Sequence, residues 1–270
     1  MEFTDALTEK IFQHFQVKAH RSYPLLLTKP QIRKELEALE NDPHASYIQD
    51  NAEGDIRGIC GYVVDPSSKY LQTTLFVSLD RNPTFIADAL DHLIAHYPDL
   101  AIHVGVEADN QLVIDGLQAR HFRVDDDAYS TTIAPMTADV RSHPHVASVT
   151  LSQWQAYRDI HDRAFSDGYW THEKIEQHFD DWRIFGIRDG AHIRAYLIKK
   201  SPPDHPASEI FGIYGKDLHD RICLIEHAVA ASREKKILYY FTDDVEEVDA
   251  CRALGFDVRG HYLDWVLEPV

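Results

Sequence analysis

Apolar and polar positions alternate along the chain in two runs of similar order. Over residues 4–17, Leu7, Ile11, Phe12 and Phe15 recur at the spacing of a helix with one buried face. A second stripe, Ile32, Leu36 and Leu39, predicts a helix over 29–39 with Pro30 in its first turn, and Asn41-Asp42-Pro43-His44 ends it. Residues 45–49, 56–64 and 70–77 read as antiparallel strands, with turns at 51–55 around Gly54 and at Asp65-Pro66. Asn82-Pro83 opens a helix that buries Ile86, Leu90, Leu93 and Ile94. A strand at 101–106, a helix at 110–119 and strand segments within 121–133 close the run.

Residues 134–145 lose all periodicity and carry two prolines, so they read as a linker. The second run then begins with a strand at 147–151 and a helix capped by Ser152 that carries Trp154, Tyr157, Ile160 and Ala164. Thr171-His-Glu-Lys opens another helix, with Ile175, Phe179 and Trp182 on its face. Residues 183–187 and 193–199 form a hairpin across the turn at 188–191, and 201–208 is a loop. Residues 209–233 are a strand, a short turn and an amphipathic helix; a strand at 236–241, a helix at 245–254 and a strand at 261–267 follow. Two copies of one domain are expected, at 1–136 and 147–270, joined by a linker at 137–146.

The ends of the two copies align. The first has a strand, then Asn110 and a helix ending Leu117-Gln-Ala-Arg-His121-Phe122; the second has a strand, then Asp244 and a helix ending Cys251-Arg-Ala-Leu-Gly255-Phe256. These segments resemble the GNAT acetyltransferase superfamily, in which a strand runs into an Asn-led helix ending Tyr-x-x-x-Gly-Phe. The hairpins at 54–64 and 188–200 are similar to the family's central strands, and the segments before them, especially 160–165, resemble the family as well. The resemblance covers nearly the whole chain as a tandem pair. It implies an α/β (α+β) fold of two GNAT-like domains, each a twisted mixed sheet flanked by helices. It also implies acetyl-CoA as co-substrate, a small-molecule or peptide amine as acceptor, and pyrophosphate held at the turn into a central helix.

By that resemblance Glu209, at the start of the central strand, is the candidate base, its ordinary alternative being a solvated strand-end acid. Cys251 stands where the family has its acidic tyrosine, its alternative being a packed helix residue; the first copy has Leu117 there, which cannot donate a proton. The cofactor candidates are Ile213, Tyr214, Gly215, His219, Arg221, Ile222 and Asp244. Both copies depart from the family's glycine-rich phosphate turn. The first has Asn82-Pro83-Thr84-Phe85, and the second has Asp217 and Asp220 with no glycine between them. Asp217 as a helix cap competes for the N–H groups an anion would use, and two carboxylates repel it. The second copy is therefore the candidate catalytic one and the first mainly structural.

Composition narrows the partners. A net charge of −17 disfavours sequence-independent nucleic-acid binding and docking on an anionic membrane, while leaving room for cationic substrates such as amines. Three cysteines, Cys60, Cys223 and Cys251, lack CxxC spacing; with an N-terminus that has no basic-then-apolar leader, they fit a reducing cytoplasm. His143-Pro-His145 lacks the spacing of known metal motifs and reads as a solvated linker, and Asp125-Asp126-Asp127 as a solvated strand end, so no metal is expected. No P-loop, GxGxxG or GxSxG is present. The reading is an acyltransferase of the GNAT type, the alternative being a GNAT-like module that has lost catalysis and only binds.

Overall fold

Helix ends follow the capping chemistry written in the sequence. Helix α1 (Asp5–Phe15) starts at Thr4, whose side chain accepts from the Leu7 amide, and α2 (Lys29–Asn41) starts with a capping box between Thr28 and Gln31. Strands β1 (Ala45–Ala52), β2 (Asp55–Asp65) and β3 (Tyr70–Ser78) follow, then α3 (Pro83–His96) capped by Asn82. Strand β4 (Ala101–Glu107), α4 (Gln111–Gln118) and β5 (Arg123–Ile133) complete the first run. The second comprises β6 (Val146–Ser148), α5 (Trp154–Ala164), α6 (His172–Gln177), β7 (Trp182–Asp189), β8 (His192–Lys200) and β9 (Ala207–Tyr214). It ends with α7 (Leu218–Ala230), β10 (Ile237–Thr242), α8 (Val245–Ala253) and β11 (Asp257–Leu267).

This computed structural model describes residues 3–269 apart from Glu53, residues 166–168 and Ala191. Glu53 and Ala191, in the turns expected at 51–55 and 188–191, therefore lie outside the described residues. The chain forms two units: Met1–Asp127 with Gly260–Val270, and Ala128–Arg259. Strand β5 carries the chain from the first unit into the second, and β11 returns it.

In the first unit the strand order is β1-β2-β3-β4-β11. Strand β11 runs antiparallel to β4, from Tyr262 opposite Glu107 to Leu267 opposite Ile102. Trp265 joins the core formed by Phe76, Phe85, Leu90, Leu93 and Val104. A second cluster, with Ile11, Ile32, Leu36, Ile59 and Leu75, lies under α1 and α2. The second unit has the order β5-β10-β9-β8-β7-β6, with β10 antiparallel to residues 129–133 of β5. One core lies under α7 and α8 and includes Leu197, Ile210, Leu224 and Cys251. The other lies under α5 and α6 and includes Tyr157, Trp182 and Tyr196.

These unit boundaries differ from the expected 1–136 and 147–270. The last strand of each sequence repeat is counted with the opposite unit, because a strand with the same apolar alternation satisfies either sheet edge. Gly260 marks the passage of β11 into the first unit: a Cβ there has no room beside the Glu107 carboxylate and the Tyr23 hydroxyl. The expected linker is also less solvated than its composition indicated, since Val140 and Val146 are buried in the α7 core. Two local expectations change as well. Helix α5 starts at Gln153 with no side-chain cap; the Ser152 hydroxyl instead meets the Thr150 hydroxyl at 2.8 Å. Trp182 begins β7 rather than continuing a helix, because α6 ends at Gln177.

The glycine of the Gly-Phe ending has a backbone reason. Gly255 sits at φ 92° after α8, where the Phe256 amide closes onto the Cys251 carbonyl at 2.9 Å. His121 adopts the same left-handed conformation, at φ 62°, after α4. The shared ending is thus a helix stop, and it places residues 117 and 251 on core-facing turns; both are fully buried.

Candidate functional site

The second unit's sheet opens at its centre. Strands β9 and β10 pair in parallel only from Ala207–Ile237 to Ile210–Tyr240. Strand β9 continues to Tyr214, and Phe241 and Thr242 of β10 pair with Ser130 and Tyr129 instead. Residues 211–214 therefore diverge from β10, leaving a gap where two parallel strands separate. On its other edge β9 carries a bulge: Lys199 faces Ile210 and Ile198 faces Gly212, so Phe211 is the extra residue.

The bulge decides which side chains share a face. Ile210 and Ile213 pack into the α7 core. Glu209 pairs with Lys200, and the Lys200 ammonium lies 4.1 Å from the Trp170 ring centre on the opposite face. Phe211 lies on that opposite face too, against Trp170 at 5.9 Å and Trp182 at 5.4 Å between ring centres. Tyr214 stacks on Tyr196 at 5.8 Å. Glu209 thus stands beside an aromatic wall of Trp170, Trp182 and Phe211. Burial raises its carboxyl to about 7, against the opposing pull of the Lys200 cation. Burial also lowers Lys200, with Asp181 and Glu209 working the other way. A carboxylate that titrates near neutrality is suited to accept a proton at physiological pH.

Beyond Tyr214 the chain turns into α7. Asp217 caps this helix, accepting from the His219 amide at 2.8 Å, as its sequence position predicts. A cleft of about 530 Å³ opens beside the turn, lined in part by Tyr214, Arg163, Arg194, Lys216, Asp217 and Asp220. Asp220 is buried and pairs with Arg194 at 2.8 Å. The acidic turn is thereby offset by three cations at its rim, Arg163, Arg194 and Lys216, a compensation that the sequence order does not display.

The remaining predicted residues are distributed differently. Arg221 is held by Asp244 at 2.7 Å and by Glu247 at 2.5 Å, and it donates to the Gly215 carbonyl at 3.0 Å. Glu247 is buried and also accepts from the Tyr240 and Thr242 hydroxyls. Asp244 caps α8, accepting from the Glu246 and Glu247 amides. Arg221 and Asp244 therefore tie α7 to α8. His219 points along α7, its Nε2 3.7 Å from Cys223 Sγ. Ile213 packs against the α7 core, and Ile222 is half-buried on α7. Cys251 is fully enclosed, and burial next to Glu247 pushes its thiol up to about 12. Among the described residues, Tyr214 is the cofactor candidate that lines the cleft. Sequence reasoning missed Arg163, Arg194 and Lys216, whose only signal was basic residues near an acidic turn, and the aromatic wall, which depends on the bulge.

The first unit repeats the opening and closes it. Strands β3 and β4 pair only from Tyr70–Ala101 to Gln72–His103, although both run on. Residues 21–23 fill the gap. The Phe76 amide donates to the Ser22 hydroxyl at 3.1 Å. The Tyr23 amide donates to the Gly105 carbonyl at 2.9 Å, and the Glu107 amide to the Arg21 carbonyl at 3.3 Å. Ser22 and Tyr23 are both buried. At the head of α3, Asn82 accepts from the Thr84 amide, and Phe85 is packed in the core.

No protein-family model and no curated protein sequence matches the chain. Solved structures do. The chain is similar to a GCN5-related N-acetyltransferase from Sphaerobacter thermophilus, at 12% identity and a TM-score of 0.66, over 99% of this chain and 94% of that one. It is similar to a tandem GNAT protein from the clavulanic acid biosynthesis pathway, at 11% identity and a TM-score of 0.54, over 98% and 96%. A GCN5-related N-acetyltransferase from Kribbella flavida gives 10% identity and a TM-score of 0.55, over 100% and 97%. At this level of identity the likeness speaks for architecture, and it agrees with the two splayed sheets described above. The chain carries the fold of these GNAT structures over nearly its full length.

Proposed function

We propose that the second unit transfers an acetyl group from acetyl-CoA to a primary amine of a small molecule or peptide, and that the first unit is non-catalytic. The observation that carries this reading is Glu209: a carboxylate poised near neutrality, beside an aromatic wall, on the strand that diverges from β10. The site fits the co-substrate in two respects. The cleft beside α7 presents Arg163 and Lys216 to phosphate groups, and residues 211–214 border a gap for an extended chain.

Acetyl-CoA supplies the activated thioester when bound. Glu209 takes a proton from the substrate ammonium, freeing the nitrogen lone pair to attack the thioester carbonyl. The rings of Trp170 and Trp182 hold the Lys200 ammonium beside that carboxylate, so this wall already carries a cation of the chain's own. The new N–C bond would form as the C–S bond breaks, with the nitrogen's second proton passing through water to the leaving thiolate, Cys251 being sealed in the core. In the first unit the corresponding gap is occupied by residues 21–23 of the same chain.

A second reading, an acyl-CoA-binding module without turnover, is favoured by one observation: Asp217 consumes an N–H that an anion at α7 would use. Amine-dependent release of free thiol from acetyl-CoA, assayed over polyamines, amino sugars and peptides, separates the two. Release with at least one amine class supports transfer. Binding without release from any class supports the module.

A further inference from the structure

Helix α7 carries a cluster around Cys223 that the transfer reaction does not use. Cys223 is buried on this helix, and His143 and His145 come from the segment that packs across it. One ligand atom from each of these three side chains lies within 4.8 Å of the other two. His219, one turn before Cys223, brings its Nε2 to 3.7 Å from the sulfur. Glu226, nearly one turn after, lies 2.5 Å from His143 Nε2, and the His143 amide donates to His227 Nδ1 at 3.3 Å. His143 is therefore no solvated linker residue, contrary to the sequence expectation; it is almost fully buried and paired.

Two features of this cluster are those of a metal centre. Thiolate and imidazole together are the ligand set of zinc. A tetrahedral site with Zn–S of ~2.3 Å and Zn–N of ~2.0 Å separates sulfur and nitrogen by about 3.5 Å. His219 Nε2 and Cys223 Sγ, a hydrogen-bonded pair at 3.7 Å, lie within a few tenths of an ångström of that separation. In addition, His143 Nε2 lies 2.5 Å from the Glu226 carboxylate; with Nε2–H donating to it, Nδ1 keeps its lone pair, the arrangement that orients a metal-binding imidazole. His145 is exposed, and its ring meets that of His143 edge-on at 5.4 Å between centres.

We propose that His143, His145 and Cys223 form a zinc site, with the fourth position taken by His219 or water, which pins the segment before β6 onto α7. Binding removes the proton from the Cys223 thiol and releases it to solvent; the metal keeps its +2 charge and no redox step occurs. The site stands apart from the proposed transfer reaction and does not depend on it.

The test is a titration of the untagged, chelator-treated full chain with Zn²⁺, and in parallel with Co²⁺ read by absorption. One Zn²⁺ per chain is expected, together with a thiolate-to-cobalt charge-transfer band and the ligand-field bands of a tetrahedral site. Cys223→Ser abolishes the charge-transfer band. His145→Ala, at an exposed position that leaves folding intact, weakens Zn²⁺ binding by ~10-fold or more. Absence of stoichiometric binding in the parent chain overturns the proposal, as does a charge-transfer band that survives Cys223→Ser, or an affinity unchanged by His145→Ala.

Discussion

Removing Gly260–Val270 is expected to abolish the cooperative folding of the first unit. The deletion takes Trp265 and Val266 out of buried positions and strips β4 of its antiparallel partner over six residues. Losing a buried aromatic side chain alone costs about 3–5 kcal/mol, a large share of the roughly 5–15 kcal/mol that holds a domain folded. It also removes the His261 amide, which donates to the fully buried Glu107 carboxylate at 2.7 Å. Hydrogen exchange at residues 102–107 is the direct readout. Protection there should collapse to the rate of an unstructured chain in the shortened protein. Unchanged protection would mean that β4 does not rely on β11.

Glu209→Gln is expected to lower kcat/KM for acetyl transfer by about 100-fold or more, the usual contribution of a positioned general base. The parent enzyme should gain activity as pH rises through about 7, where the Glu209 carboxyl loses its proton. The variant should lack that limb, since the amide does not titrate. The same raised carboxyl has the opposite effect on stability. Between about 4.5 and 7 the folded state holds a proton that the unfolded state has released, so this group's contribution to stability falls as pH rises through that window. A pH–rate profile of the variant parallel to that of the parent would remove Glu209 from the reaction.

Much of this fold was legible because its elements obey local rules. The stripes of α1, α2 and α3 and the caps at Asn82, Asp217 and Asp244 depend on residues within one or two turns of each other. The tandem likeness was legible for the same reason: a helix stopped by a left-handed residue before Phe122 or Phe256 repeats at fixed spacing. What could not be read is non-local. Strand β11 has the alternation of any half-buried strand, and nothing in 261–267 says which sheet edge it joins. Residues 21–23 have no period, so their place in the gap between β3 and β4 left no trace in the sequence.

The candidate site divides along the same line. Glu209 is a candidate from its place at the head of the central strand, and in the structure burial raises its carboxyl to about 7. Cys251 was found from spacing, but spacing does not reveal which side of α8 faces the core; full burial and a thiol near 12 take it away from the chemistry. Arg221 and Asp244 look like phosphate and strand-end ligands one at a time, whereas together they are partners in an ion pair. His143 was read as solvated because linker composition is polar, and only its packing against α7 shows its Glu226 partner.

The central claim is that one unit of this tandem fold keeps an open acyl-CoA cleft while the other has filled its own. Isothermal titration of the full chain with acetyl-CoA tests it most directly. The account predicts saturable binding at one molecule per chain, weakened when the cleft cations are removed in an Arg163→Ala/Lys216→Ala double variant. Two sites per chain, or no binding of acetyl-CoA, would contradict it.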